Sequence, residues 1–147
     1  MTLPLFTDIG EEYLVTSNPD GATVTFTLYQ DGTDGLTELA DLGDITTEPD
    51  GAAYARQSST VSVGQLSGAG GGDYGFQTDS QVQFDTSDST RAVDAVGYIV
   101  TFASEVAGDG GAASDHLIGG AELSSTYQLS DYDTVTYEAG DLELPVT

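Results

Sequence analysis

Ser114, Asp115 and His116 stand side by side, the three residue types of a hydrolytic triad. Acyl transfer needs them ordered in space, with a base within hydrogen-bond reach of the hydroxyl and an acid behind the base. Three consecutive residues do not create that order, and no G-x-S-x-G elbow occurs to expose a nucleophile. His116, the only histidine, is therefore expected to be a loop or strand-start residue. Asp85-Thr86-Ser87 has the first two residues of an aspartic-protease triplet but lacks its glycine, and no second copy is present. Among 25 acidic residues, pairs of carboxylates at glycosidase spacing are expected by chance. No catalytic residue is assigned, and hydrolase or nucleotide-dependent activity is not expected.

Gly70-Gly71-Gly72-Asp73-Tyr74-Gly75 fits G-x-G-x-x-G by its letters. A dinucleotide site needs that run after a strand and at the opening of a helix, where amides meet the pyrophosphate. Here a strand follows, and a net charge of −23 opposes phosphate. No organic cofactor is expected. Hard cations are the more serious alternative: Asp31, Asp34, Asp79, Asp85 and Asp88 are oxygen donors of the kind that Ca2+ or Mg2+ takes. The loop Asp31-Gly32-Thr33-Asp34-Gly35 lacks the twelve-residue calcium spacing and its terminal Glu. A solvated acidic surface explains these residues more simply, so no metal is assigned.

The same charge bounds the class of protein. Two Arg, Arg56 and Arg91, and no Lys face the 25 acids, so nucleic acid and anionic membranes are excluded as partners. Disorder is excluded too, because 38% of residues are hydrophobic, with 8 Tyr and 5 Phe, and they alternate with polar ones. What remains is a surface suited to molar salt, where self-repulsion is screened within about 3 Å. No Cys is present for disulfides or thiolate metal sites. The opening residues have no basic region or apolar run of a leader, and no stretch reaches the 18 apolar residues of a membrane span; a soluble protein is expected.

At 147 residues the chain suits one domain. Residues 1–12, with Leu3, Leu5, Phe6 and Ile9, read as an N-terminal arm that docks on a neighbour, or as a first edge strand. Residues 13–147 read as a single domain. Glu12–Ser17 offers a brief strand, ended by the turn Asn18-Pro19-Asp20-Gly21. In Ala22–Gln30, Val24, Phe26 and Leu28 share one face and threonines the other. Leu36, Leu39 and Leu42 suggest one or two helical turns. A long strand is expected over Ala53–Val63, and another over Gln77–Asp85 with Val82 and Phe84 inward. A central strand is expected over Asp94–Ala103, with Val96, Tyr98, Val100 and Phe102 on one face and Ile99 on the other. His116–Ser124 carries Gly119-Gly120, a bulge signal. Thr134–Tyr137 and Leu142–Val146 close the chain. The Gly-rich run 64–75 and the small residues 108–114 are connections. About eight short strands with long Gly/Asp-rich loops predict an all-β fold, an antiparallel sandwich of jelly-roll type.

Thr47–Gln57, TEPDGAAYARQ, stands apart from this pattern. Pro49 and Gly51 set a turn, and Arg56 is expected to pair with Glu48, the nearest acid. The segment, with Glu48, Pro49, Gly51, Tyr54 and Arg56 as its structural residues, resembles one in small virion proteins of tailed viruses. The closing stretch DTVTYEAGDLELPV, residues 133–146, is similar to the last strand pair of the same proteins. The resemblance implies a non-enzymatic β-sandwich module on the particle: a capsid decoration or turret subunit on the head surface, with a tail or baseplate component as the alternative. It also implies a homo-oligomer, trimer to hexamer, bound to other virion proteins such as the major capsid protein. A carbohydrate- or cell-surface-binding adhesin module is the reading from a different class.

Overall fold

The computed structural model describes residues 3–66, 74–103 and 113–145. The Gly-rich run at 67–73, with most of the G-x-G-x-x-G letters, and residues 104–112 lie outside the described residues. The fold is all-β and antiparallel. The strands are β1 (Leu5–Phe6), β2 (Thr23–Tyr29), β3 (Gln57–Gln65), β4 (Tyr74–Thr78), β5 (Val82–Asp85), β6 (Ala92–Ala103), β7 (Ala113–Gln128), β8 (Thr134–Tyr137) and β9 (Glu143–Pro145). Seven of them form one hydrogen-bonded sheet in the order β1-β7-β6-β2-β3-β4-β9, and β5 and β8 form a two-stranded ribbon.

The large sheet curls because β3 is shared. Its first residues, Gln57 to Thr60, pair with β2, and its last, Val61 to Gln65, pair with β4. Strands from opposite ends of the order then meet face to face. Phe6 of β1 stacks on Phe76 of β4 with ring centroids 6.0 Å apart, and Leu144 of β9 lies against Gly119 of β7. The space between holds Val24, Phe26, Leu28, Val82, Phe84, Val96, Tyr98, Val100 and Phe102, the residues whose alternation marks them as inward. A second, smaller cluster covers the other face of β2, β6 and β7: Leu5, Tyr29, Leu36, Ala40, Ile45, Ala95, Ile99 and Leu117. Both faces of the central strands are therefore buried, which is why β6 is apolar from Ala95 to Val100.

Several local expectations are corrected. Glu12–Ser17 is not a strand; α1 spans Asp8–Thr16. Thr7 caps it, accepting from the Gly10 amide at 2.9 Å, acids Asp8 and Glu11 sit in its first turn, and Ile9 and Tyr13 fall one turn apart on its buried face. The docking role of Leu3, Leu5, Phe6 and Ile9 is corrected with it. Leu5, Phe6 and Ile9 are buried in the chain's own two clusters, and Leu3 packs against the second. Their apolar area is removed from water internally.

Leu36, Leu39 and Leu42 do not share a helix face. Leu39 is 82% exposed, and the helical turns fall instead at α2 (Asp31–Asp34) and at a 3-10 turn, Leu42–Asp44. Carboxylates decide this: Asp41 and Asp44 cap the second turn reciprocally. The expected strand Ala53–Val63 begins only at Gln57. Gln77–Asp85 divides at Asp79-Ser80 into β4 and β5, which belong to different sheets. Ser80 is pulled away by the Ser59 hydroxyl, which accepts its amide at 3.2 Å.

Candidate functional site

Three groups of polar side chains organise the molecule, and the first is the Thr47–Gln57 segment. It forms a clasp over the end of β2. β3 stops pairing with β2 at the Gln57–Phe26 pair, so the next amides of β2 need other acceptors. The Tyr54 hydroxyl accepts from the Leu28 amide at 3.0 Å, and Thr47 Oγ1 accepts from the Gln30 amide at 2.7 Å. Tyr54 is fixed in turn by stacking on Phe84, 5.9 Å between centroids; burial, the largest influence on it, pushes its hydroxyl pKa up.

Asp50 holds the far side of the clasp. It accepts from the Thr90 amide at 2.8 Å, the Thr90 hydroxyl at 2.6 Å and the Arg91 amide at 3.2 Å. These bonds, the Thr90 hydroxyl first, hold its carboxyl far below the usual carboxylate range. Arg91 Nη1 donates to the Thr46 and Glu48 carbonyls, and Arg56 pairs with the Glu48 carboxylate. Pro49 is buried. Gly51 has no room for a side chain, since a Cβ would stand 2.1 Å from Asp88 Oδ1.

The metal candidates are the second group. Asp34 accepts from the Thr46 amide and from the Thr46 and Thr47 hydroxyls. Asp31 accepts from the Leu36 amide, Asp79 from the Thr60 and Ser62 hydroxyls, Asp85 from the Ser87 amide and hydroxyl, and Asp88 from the Ala53 amide. Each carboxylate serves as a local backbone or hydroxyl acceptor. Among the described residues, no three His, Cys, Asp or Glu converge to hold a metal ion.

The third group was hidden by sequence distance. Asp115 is not the acid beside His116, since it accepts from the Thr101 hydroxyl across the β6–β7 ladder. The acid is Asp41, 75 residues away, whose Oδ2 lies 3.1 Å from His116 Nδ1. On the other side of the ring, His116 Nε2 lies 2.9 Å from Ser114 Oγ. Residues i and i+2 of a strand share a face, which is what lets Ser114 and His116 meet. The ring is 2% exposed and packs edge-on against Phe102, 5.1 Å between centroids.

Asp41 is itself held by the backbone. Its Oδ1 accepts from the Leu42 amide at 2.7 Å and from the Leu117 amide at 2.9 Å. Burial pushes its pKa up, but these amides and His116 outweigh burial and leave it below the ordinary value. The order serine–histidine–aspartate is that of a general-base relay. Only the tertiary contact between the 3-10 turn and the edge of β7 supplies its acid. Compared with known protein families, characterised proteins and solved structures, the chain matches none.

Proposed function

We propose that the chain is a structural subunit of a tailed-virus particle adapted to high salt, a decoration or turret protein on the head surface. It acts as a homo-oligomer of three to six copies against the major capsid protein. The observation that carries this reading is the use made of the TEPDGAAYARQ segment. The residues that give it its resemblance to virion proteins, Glu48, Pro49, Gly51, Tyr54 and Arg56, serve architecture in the clasp, and both arginines point into that clasp. The remaining surface is strongly anionic. Copies carrying −23 each assemble only where salt screens them, within about 3 Å at 1 M.

Because Leu5, Phe6 and Ile9 are used internally, self-association rests on apolar side chains that stay exposed, of which Val15, Leu39, Val63, Tyr74 and Tyr132 are the large ones among the described residues. The test is mass spectrometry of purified particles, together with sedimentation of the isolated protein in about 3 M KCl. A stoichiometric particle component that sediments as a trimer to hexamer supports the reading. A monomer missing from particles overturns it, and the adhesin reading then takes its place.

A further inference from the structure

We propose that Ser114 is a nucleophile for acyl transfer, with His116 as its general base and Asp41 as the residue that positions the base. The substrate class is esters with small acyl groups. This goes beyond the structural role above and stands or falls independently of it.

Asp41 is ionised, and an ionised carboxylate only accepts. Its Oδ1 is occupied by the Leu42 and Leu117 amides, so Oδ2 faces the ring. At 3.1 Å, Oδ2 takes the Nδ1 proton of His116. With the proton held at Nδ1, the ring's lone pair is at Nε2, and the Ser114 hydroxyl, 2.9 Å away, donates to it. That is the hydrogen-bond arrangement in which a hydroxyl can be deprotonated as it attacks.

The environment supports the same role. His116 is almost wholly buried and held edge-on by Phe102, so the ring cannot rotate away from either partner. Low local dielectric strengthens the attraction between Asp41 and the imidazolium that forms during attack. Ser114 is half-buried, the least buried end of the ring's contacts along β7, and its limited exposure favours a small acyl group. Anchoring the edge of β7 requires only the Leu117 amide on Asp41. It does not require a histidine whose second nitrogen turns back to a serine two residues upstream.

The chemistry balances. Ser114 Oγ forms a bond to the ester carbonyl carbon as its proton passes to His116 Nε2. The bond from that carbon to the alkoxy oxygen then breaks, and the leaving oxygen takes the proton from Nε2 to depart as alcohol. Water gives a proton to the same nitrogen and attacks the acyl carbon; the bond from that carbon to Ser114 Oγ breaks, Oγ takes the proton back from Nε2, and the carboxylic acid leaves. Net, one ester and one water give one acid and one alcohol.

The test uses the intact protein in molar salt, with folding checked by circular dichroism. A fluorophosphonate probe reports the nucleophile, because Oγ displaces fluoride from phosphorus and His116 takes the proton. The adduct is expected on Ser114 and absent in Ser114→Ala. Its rate should fall by about 10²-fold or more in His116→Gln. Asp41→Asn keeps a carbonyl for the Leu42 and Leu117 amides but turns an NH2 toward Nδ1, which forces the proton onto Nε2. Its labelling rate should fall by a similar factor while the fold persists. Since His116 is the only histidine, nitrogen-15 NMR reads its tautomer without ambiguity: Nδ1–H in the wild type and Nε2–H in Asp41→Asn. A folded wild type that forms no adduct at Ser114 overturns the proposal. So does a wild-type ring protonated at Nε2, or labelling that ignores both His116→Gln and Asp41→Asn.

Discussion

Arg56 grips Glu48 along two edges, Nε to Oε2 at 3.1 Å and Nη2 to Oε1, and the same Oε2 accepts the Thr27 hydroxyl at 2.7 Å. The pair thereby ties the clasp to β2 at the place where β3 has left it. Both side chains remain partly exposed, 36% for Arg56 and 26% for Glu48, so solvent discounts the Coulomb energy. Arg56→Ala should cost about 1 kcal/mol by denaturant midpoint. Arg56→Lys should recover little of it, because a point charge cannot make the two-edged contact. Full recovery by Lys would mean that charge alone matters there.

The N-terminus is part of the core, and its removal should show it. Phe6→Ala should destabilise by about 3–5 kcal/mol, since it empties the stack on Phe76. Deleting residues 1–10 should abolish cooperative unfolding in a thermal melt. A truncated chain that melts like the full one would restore the free docking arm.

Gly10 offers a sharper case, because local and tertiary preferences oppose each other. In an isolated helix Ala is better than Gly by about 1 kcal/mol. Here a Cβ at Gly10 would stand 2.2 Å from the Ile118 carbonyl oxygen and 2.8 Å from the Phe6 ring. Gly10→Ala should therefore lower the melting temperature, and a rise would mean that α1 packs less closely on β7.

Asp50 sets a pH dependence with a definite sign. Its folded pKa is depressed, by the Thr90 hydroxyl first and then by the Thr90 and Arg91 amides. Its stabilisation is present above the unfolded value of about 3.9 and is lost as pH falls through the folded pKa. Asp50→Asn should thus lower the melting temperature at about pH 5, and the gap to wild type should close towards about pH 2. A gap that widens on acidification would reverse the sign.

Salt should act on the whole surface. At 0.1 M the screening length is about 10 Å and the acids repel one another; at molar salt it is about 3 Å. The melting temperature should climb between about 0.1 and 3 M KCl. A flat series would assign the acidity to a basic partner instead.

The strands β2 and β6 were legible in the sequence because their signal is local. A side-chain period of two over Val24, Phe26 and Leu28, or over Val96 to Phe102, already names the inward face, and the turn residues between runs limit each strand. The all-β class follows from those runs, and the absence of nucleic-acid or membrane partners is an expectation from the net charge alone. The helix α1 was legible in principle: Thr7, Asp8 and Glu11 are cap and first-turn residues. It was masked by Tyr13 and Val15, whose types and spacing suit a strand.

The tertiary structure decided the rest. Nothing local marks Tyr29, on the threonine face of β2, for burial, because that depends on residues 30–47 folding back over it. Nor could spacing identify Asp41 as the partner of His116. A hydrogen bond constrains distance and angle in space but leaves the length of chain between its partners free. Asp115 was adjacent in sequence, yet on a strand it faces the opposite side from His116. Asp41 reached the ring only because the 3-10 turn docks on the unpaired edge of β7, where the Leu117 amide needed an acceptor.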